Sequence, residues 1–309
     1  MAMNKGVKRI LKALSADGIE VKSSRKLANL KTISPLKVFH RTLDVKIYNG
    51  DHEVPVRLYL PRNPDILNRD ILLFFHGGGW ATESNDTYER ACAKLAVETD
   101  HIVLSVEYRL APEYKFPIGL EDCYAVAKAM HTGELGQGID SEKITLIGDS
   151  AGGNITAALS LMARDRGEFH IRRQILIYPA TYGDYNEATP FESVHENGSD
   201  YILTLGKMRD YVDLYISGEE DKKNKYFSVL REEDFSNQPD TLVITAEFDP
   251  LRDEGEEYAR VLLKAGNKVQ AYRIKDAIHG FFGLGIKSHS WNSCIELINR
   301  FLKEGKENV

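Results

Sequence analysis

Ile144-Thr145-Leu146-Ile147-Gly148-Asp149-Ser150-Ala151-Gly152-Gly153-Asn154 passes from a short apolar run, through a serine flanked by glycines, into Ile155-Thr156-Ala157-Ala158-Leu159, which reads as the start of a helix. A strand that turns sharply into a helix needs small residues beside the turn, and Gly148 and Gly152 supply them. The pattern predicts a Ser150 hydroxyl standing above a buried strand, at the positive end of a helix. A Gly-x-Ser-x-Gly string arises by chance in roughly one chain in ten of this length. Its meaning therefore rests on the surrounding sequence.

On both sides of this stretch the chain repeats one rhythm, a dense apolar run followed by a longer helical pattern. The runs are Ile71-Leu72-Leu73-Phe74-Phe75, Ile102-Val103-Leu104-Ser105-Val106, Ile175-Leu176-Ile177-Tyr178 and Leu242-Val243-Ile244-Thr245, with an alternating sixth at Val269-Gln270-Ala271-Tyr272-Arg273-Ile274. Strands without clean alternation are buried on both faces, as in a parallel sheet between helix layers. The fold class is α/β. Upstream, Val45, Ile47, Val54, Val56 and Leu58 alternate around Asn49-Gly50, which predicts a hairpin over 43–60. Val7, Ile10, Leu11 and Leu14 share the spacing of one helix face, with Gly18 as the stop. The stretch 182–227 breaks the rhythm, being polar and rich in tyrosine, with a helical pattern near 208–215. It reads as an insertion over the sheet, a lid on one core.

Chemistry gathers at the ends of these strands. His76-Gly77-Gly78-Gly79-Trp80 follows the 71–75 run; three glycines let backbone N–H groups face a substrate carbonyl unobstructed, as an oxyanion hole requires. The loop lacks the Lys-Ser/Thr ending of a P-loop and the spacing of a dinucleotide fingerprint. A serine hydroxyl needs a base, and the base needs an acid to hold its tautomer. Asp249 follows the strand at 242–245 and His279 follows the last strand, in the order Ser, acid, His found in α/β-hydrolases. Asp253 and Asp276 are the competing acids. The competing histidines are weaker: His289 lies in the last helical region, His76 belongs to the glycine loop, and His101 precedes a strand.

Composition excludes other classes. The net charge of −6 gives no reason to expect a nucleic-acid partner. No apolar run nears the roughly 18 residues of a membrane span, and the start of the chain does not read as a signal peptide, so the expected location is cytoplasmic. Cys92, Cys123 and Cys294 are few, odd in number and widely spaced, as expected of reduced structural thiols. The first forty residues are rich in Lys and Arg, a solvated face or one suited to weak interfacial contact.

Taken together, His76-Gly77-Gly78-Gly79-Trp80, Gly148-Asp149-Ser150-Ala151-Gly152-Gly153-Asn154, Asp249-Pro250-Leu251-Arg252-Asp253 and His279-Gly280-Phe281 resemble the hormone-sensitive-lipase-like family of α/β-hydrolase esterases. Glu107-Tyr108-Arg109-Leu110-Ala111-Pro112-Glu113 extends the resemblance, which spans about 74–282. It implies an α/β-hydrolase fold with a helical cap: N-terminal cap helices at 1–40, core at 41–181, cap insertion at 182–227 and core again at 228–309. It also implies oxyanion donors at Gly78, Gly79 and Ala151, short-chain acyl esters as small-molecule substrates, and neither metal nor organic cofactor. The expected activity is that of a serine carboxylesterase with Ser150, Asp249 and His279 as its triad. An amidase or deacetylase could use the same triad, and a non-catalytic receptor could use the same fold. A homo-oligomer is compatible with all of these.

Overall fold

The computed structural model describes residues 20–30, 42–62, 69–134, 140–186 and 188–304, without the side chains of Leu27 and Leu30. Among them eight strands form one sheet: β1 (Thr42–Asn49), β2 (His52–Tyr59), β3 (Ile71–Phe75), β4 (Ile102–Val106), β5 (Ile144–Asp149), β6 (Arg173–Ile177), β7 (Asp240–Phe248) and β8 (Val269–Ile278). Their spatial order is β1-β2-β4-β3-β5-β6-β7-β8. β2 pairs antiparallel with both neighbours, and every other pair is parallel.

β3, β4, β5 and β6 are buried at every position because successive side chains enter two different cores. Ile71, Leu73 and Phe75 join the core beneath helices Ile118–His131, Ala151–Arg166 and Arg252–Lys264. Leu72 and Phe74 join the core beneath Asn85–Thr99 and His289–Glu304. This explains why the runs lack polar alternation. Truncating one such residue, as in Leu72→Ala, costs about 2–5 kcal/mol through lost burial and the cavity left behind. β1 and β8 are the sheet edges; β8 buries Ile274 and Ala277 and exposes Arg273 and Lys275, whereas in β1 Leu43 and Val45 are exposed and Ile47 alone is buried.

The hairpin forms with a one-residue shift from the expected turn. Asn49 pairs with His52, so the two-residue loop is Gly50-Asp51, with Gly50 at φ 63°. Asn49 instead spends its side chain on Asp122, donating from Nδ2 at 2.9 Å.

From β3 the chain moves outward to β4 and then crosses back to β5 on the other side. A reversal of this kind opens a crevice above the carboxyl ends of the strands on either side of it. The glycine loop leaves β3 there, and Ser150 leaves β5 there. Between β6 and β7 the chain forms helices Glu192–Asn197 and Leu205–Tyr215. An earlier helix, Val21–Leu30, is tied to the core by Arg25, which pairs with Glu113 at 2.8 Å and donates to the carbonyls of Ala81 and Ala111, each at 2.9 Å.

The expected helix face of Val7, Ile10, Leu11 and Leu14, its stop at Gly18 and most of the N-terminal basic residues lie outside the described residues. Among the described residues, no helix is long and apolar enough to cross a membrane, and no cluster of His, Cys, Asp or Glu is placed to hold a metal ion. The three cysteines are buried and unbridged.

Candidate active site

Ser150 stands between β5 and the helix Ala151–Arg166 at φ 56°, in the left-handed region. The turn is held by the Ser150 N–H, which donates to the Ile177 carbonyl at 2.9 Å. The flanking glycines are required by contact as well as by turning. A Cβ on Gly152 would overlap the Phe75 carbonyl, and one on Gly148 would overlap the backbone of Gly152.

The hydroxyl of Ser150 lies 2.9 Å from His279 Nε2, and His279 Nδ1 lies 2.7 Å from Asp249 Oδ2. Asp249 is fully buried, and its Oδ1 accepts the Leu251 N–H at 2.8 Å. That second bond fixes the carboxylate, which in turn orients the imidazole. The Tyr178 ring packs beside His279 with centroids 4.7 Å apart. The three residues nominated from strand ends are thus brought into one hydrogen-bonded row, although 129 positions separate Ser150 from His279.

The competitors are elsewhere. Asp253 accepts the Ser193 N–H at 2.7 Å and pairs with Arg252, while Asp276 donates its own N–H to Glu247. His289 is exposed at the start of the last helix. His101 sits at the opposite end of β4, and His76 stacks on Tyr108 with centroids 4.4 Å apart beneath the glycine loop.

Gly78 and Gly79 hold φ 107° and 60°. Together with Ala151, at the first turn of the helix after Ser150, they line the same cavity as Ser150 and His279. The first N–H groups of a helix have no partner within it, so the Ala151 N–H is not claimed by its own helix. Gly77 does not: its N–H goes to Asp149 Oδ1 at 2.9 Å. The cavity has a volume of about 260 Å³ and is lined on one side by Ile202, Leu203, Met208 and Tyr211 from the insertion.

Two buried carboxyl groups next to the site escaped sequence reasoning. Asp149, adjacent to the serine, points down into the core and accepts from Tyr88 Oη at 2.9 Å and Tyr178 Oη at 3.0 Å. Burial raises its pKa, while these donors and the Gly77 N–H pull it back. The signal was an acid at the end of a strand otherwise buried throughout. Glu254 is also fully buried. Its Oε1 accepts from Thr181 N, Tyr182 N and Tyr185 Oη at 2.6, 3.2 and 2.9 Å, tying the start of the insertion to the segment that carries Asp249. Burial pushes its carboxyl up to about 8, against those three donors and assisted by the charge of Asp249.

Residues 72–283 match a family described as the alpha/beta hydrolase fold. The chain is 40% identical to an arylesterase of Saccharolobus solfataricus over 245 residues, 78% of this chain and 77% of that protein. It is 35% identical to an ethyl acetate hydrolase of Pseudomonas putida over 236 residues, 76% and 73% of the two chains. Among solved structures, the hyperthermophilic esterase of Pyrobaculum calidifontis superposes with a TM-score of 0.86 at 34% identity, covering 98% of this chain and 99% of that one. Motifs, sheet order and relatives agree: the chain belongs to the hormone-sensitive-lipase-like family of the alpha/beta hydrolases.

Proposed function

We propose that the chain is a serine carboxylesterase hydrolysing short-chain acyl esters through an acyl-enzyme on Ser150, with residues up to 40 and 182–227 as its cap. The observation that carries this reading is the row Ser150–His279–Asp249, with separations of 2.9 and 2.7 Å, beside a glycine loop in one cavity. His279 takes the hydroxyl proton as Ser150 attacks the ester carbonyl. Gly78, Gly79 and Ala151 donate to the oxyanion, and buried Asp249 stabilises the imidazolium. His279 then protonates the departing alcohol. Water repeats the cycle on the acyl-enzyme and releases the acid.

The small cavity supports a short acyl group, being below the roughly 300–1,000 Å³ common for drug-sized ligands. The arylesterase and ethyl acetate hydrolase among the relatives agree with ester substrates of modest size. A panel of p-nitrophenyl esters from two to sixteen carbons, with matched anilides, tests the reading. The expected profile peaks at short chains, favours ester over amide and collapses in Ser150→Ala and His279→Ala. Near-wild-type turnover in either variant would overturn it, and a fluorophosphonate probe should label Ser150.

A further inference from the structure

Three consecutive residues of the glycine loop, Gly78, Gly79 and Trp80, hold positive φ of 107°, 60° and 57°. The glycines adopt this readily, but a tryptophan does not. A bulky L-residue in this region costs on the order of 1–3 kcal/mol and persists only where its surroundings over-determine it. Those surroundings come from the insertion. The Trp80 ring lies parallel to that of Tyr215, with centroids 4.8 Å apart and an interplanar angle of 1°, and Phe227 meets its side at 5.5 Å. One helical turn before Tyr215, the Tyr211 ring rests directly on Gly79, where any Cβ would overlap its Cγ and Cδ1. Residues four apart on a helix lie on one face, so two successive turns of Leu205–Tyr215 press on two successive residues of the loop.

The helix is itself fixed. Met208 and Val212 are buried, the Tyr215 carbonyl accepts the Phe116 N–H at 2.8 Å, and the Ile216 carbonyl accepts from Lys115 Nζ at 2.7 Å. Ala111 donates its N–H to the Trp80 carbonyl at 2.9 Å, closing the loop from the other side.

We propose that Tyr211 and Tyr215 are positioning residues for the oxyanion hole: their rings hold the left-handed backbone that aims the Gly78 and Gly79 N–H groups at the reacting carbonyl. This rests on the serine-esterase reading above. The cap is then part of the catalytic scaffold as well as a roof over the substrate. A donor displaced from an oxyanion is lost mainly in the transition state, which separates this role from simple pocket lining.

The test uses the full chain, with folding followed by circular dichroism, p-nitrophenyl acetate as substrate and a trifluoromethyl ketone as tetrahedral-adduct mimic. Tyr215→Ala and Tyr211→Ala should lower kcat by about 10- to 100-fold with KM within about threefold, and weaken the ketone in parallel. Tyr215→Phe keeps the ring and should restore turnover. Tyr215→Leu, of intermediate bulk, should fall between and serves if the alanine variant does not fold. A folded Ala or Leu variant with altered KM or chain-length preference but unchanged kcat and ketone affinity would overturn the proposal. Failure of the esterase reading is distinct: the wild-type chain would then neither turn over esters nor react with a fluorophosphonate.

Discussion

The backbone N–H of Gly77 donates to the side chain of Asp149 at 2.9 Å, joining the loop after β3 to the turn after β5 from beneath. The same carboxylate accepts the hydroxyls of Tyr88 and Tyr178, so one buried acid sets the spacing between the glycine loop and Ser150. Asp149→Ala would strand three donors in the core. Each unsatisfied buried group costs about 1–3 kcal/mol, so the free energy of urea unfolding should fall by a total of at least about 3 kcal/mol. Asp149→Asn should lose less, because Oδ1 can still accept the Gly77 N–H and the Tyr88 hydroxyl can rotate to accept from the new amide.

Glu254 makes the stability of the chain depend on pH. Its folded-state pKa of about 8 lies above the ordinary value of 4.5, so between these values the folded chain keeps a proton that the unfolded chain releases. Stability from this group is complete below pH 4.5 and drains away as pH rises towards 8, at about 1.4 kcal/mol per unit of separation. Glu254→Gln cannot titrate. Urea unfolding at pH 5 and pH 8.5 should therefore show a smaller loss in the variant than in wild type, the difference being on the order of a few kcal/mol.

Arg25 fastens the Val21–Leu30 helix through a partly exposed pair with Glu113 and two backbone carbonyls. Exposed ion pairs contribute little to global stability, so Arg25→Ala should change the unfolding free energy by under about 1 kcal/mol. Local opening should respond more strongly. Amide hydrogen exchange over 21–30 should accelerate in the variant, and 1 M salt should reproduce part of that effect in wild type.

Gly152→Ala should be far more damaging than a glycine-to-alanine change on an exposed turn. The new methyl would meet the Phe75 carbonyl, which is backbone within a central strand and cannot move aside. The expected cost is about 3 kcal/mol or more, measured as a lowered thermal midpoint. Gly167→Ala serves as a control, since that position has open space and pays only for its left-handed φ of 64°.

The central strands were readable because burial on both faces removes the polar alternation of a half-exposed strand, and that constraint writes itself into runs such as Ile71–Phe75. Ser150, Asp249 and His279 were readable because parallel topology puts all strand carboxyl ends on one edge, so position after a strand predicts proximity in space. Direction of side chains was not readable. Asp149 and Glu254 sit one and five residues from Ser150 and Asp249 in the sequence, and nothing local says that both turn inward. The insertion reads as polar because acidic and amide residues are interspersed among its tyrosines. In the fold Tyr185 and Tyr215 are buried, and their rings supply the packing that aliphatic residues supply elsewhere. The hairpin loop slipped by one residue because Asn49 has a distant partner, Asp122, 73 positions away.

The left-handed backbone at Ser150 also bears on how such a chain can evolve. At φ 56° the turn would accept glycine more easily than any residue with a Cβ, so serine persists there only while its hydroxyl is under selection. If Ser150 is the nucleophile proposed above, a duplicated copy released from turnover would relieve this backbone strain by replacing it with glycine. On this scaffold, drift from a hydrolase towards a binder of small molecules therefore runs downhill in free energy, and keeping the hydrolase requires continuous purifying pressure at position 150.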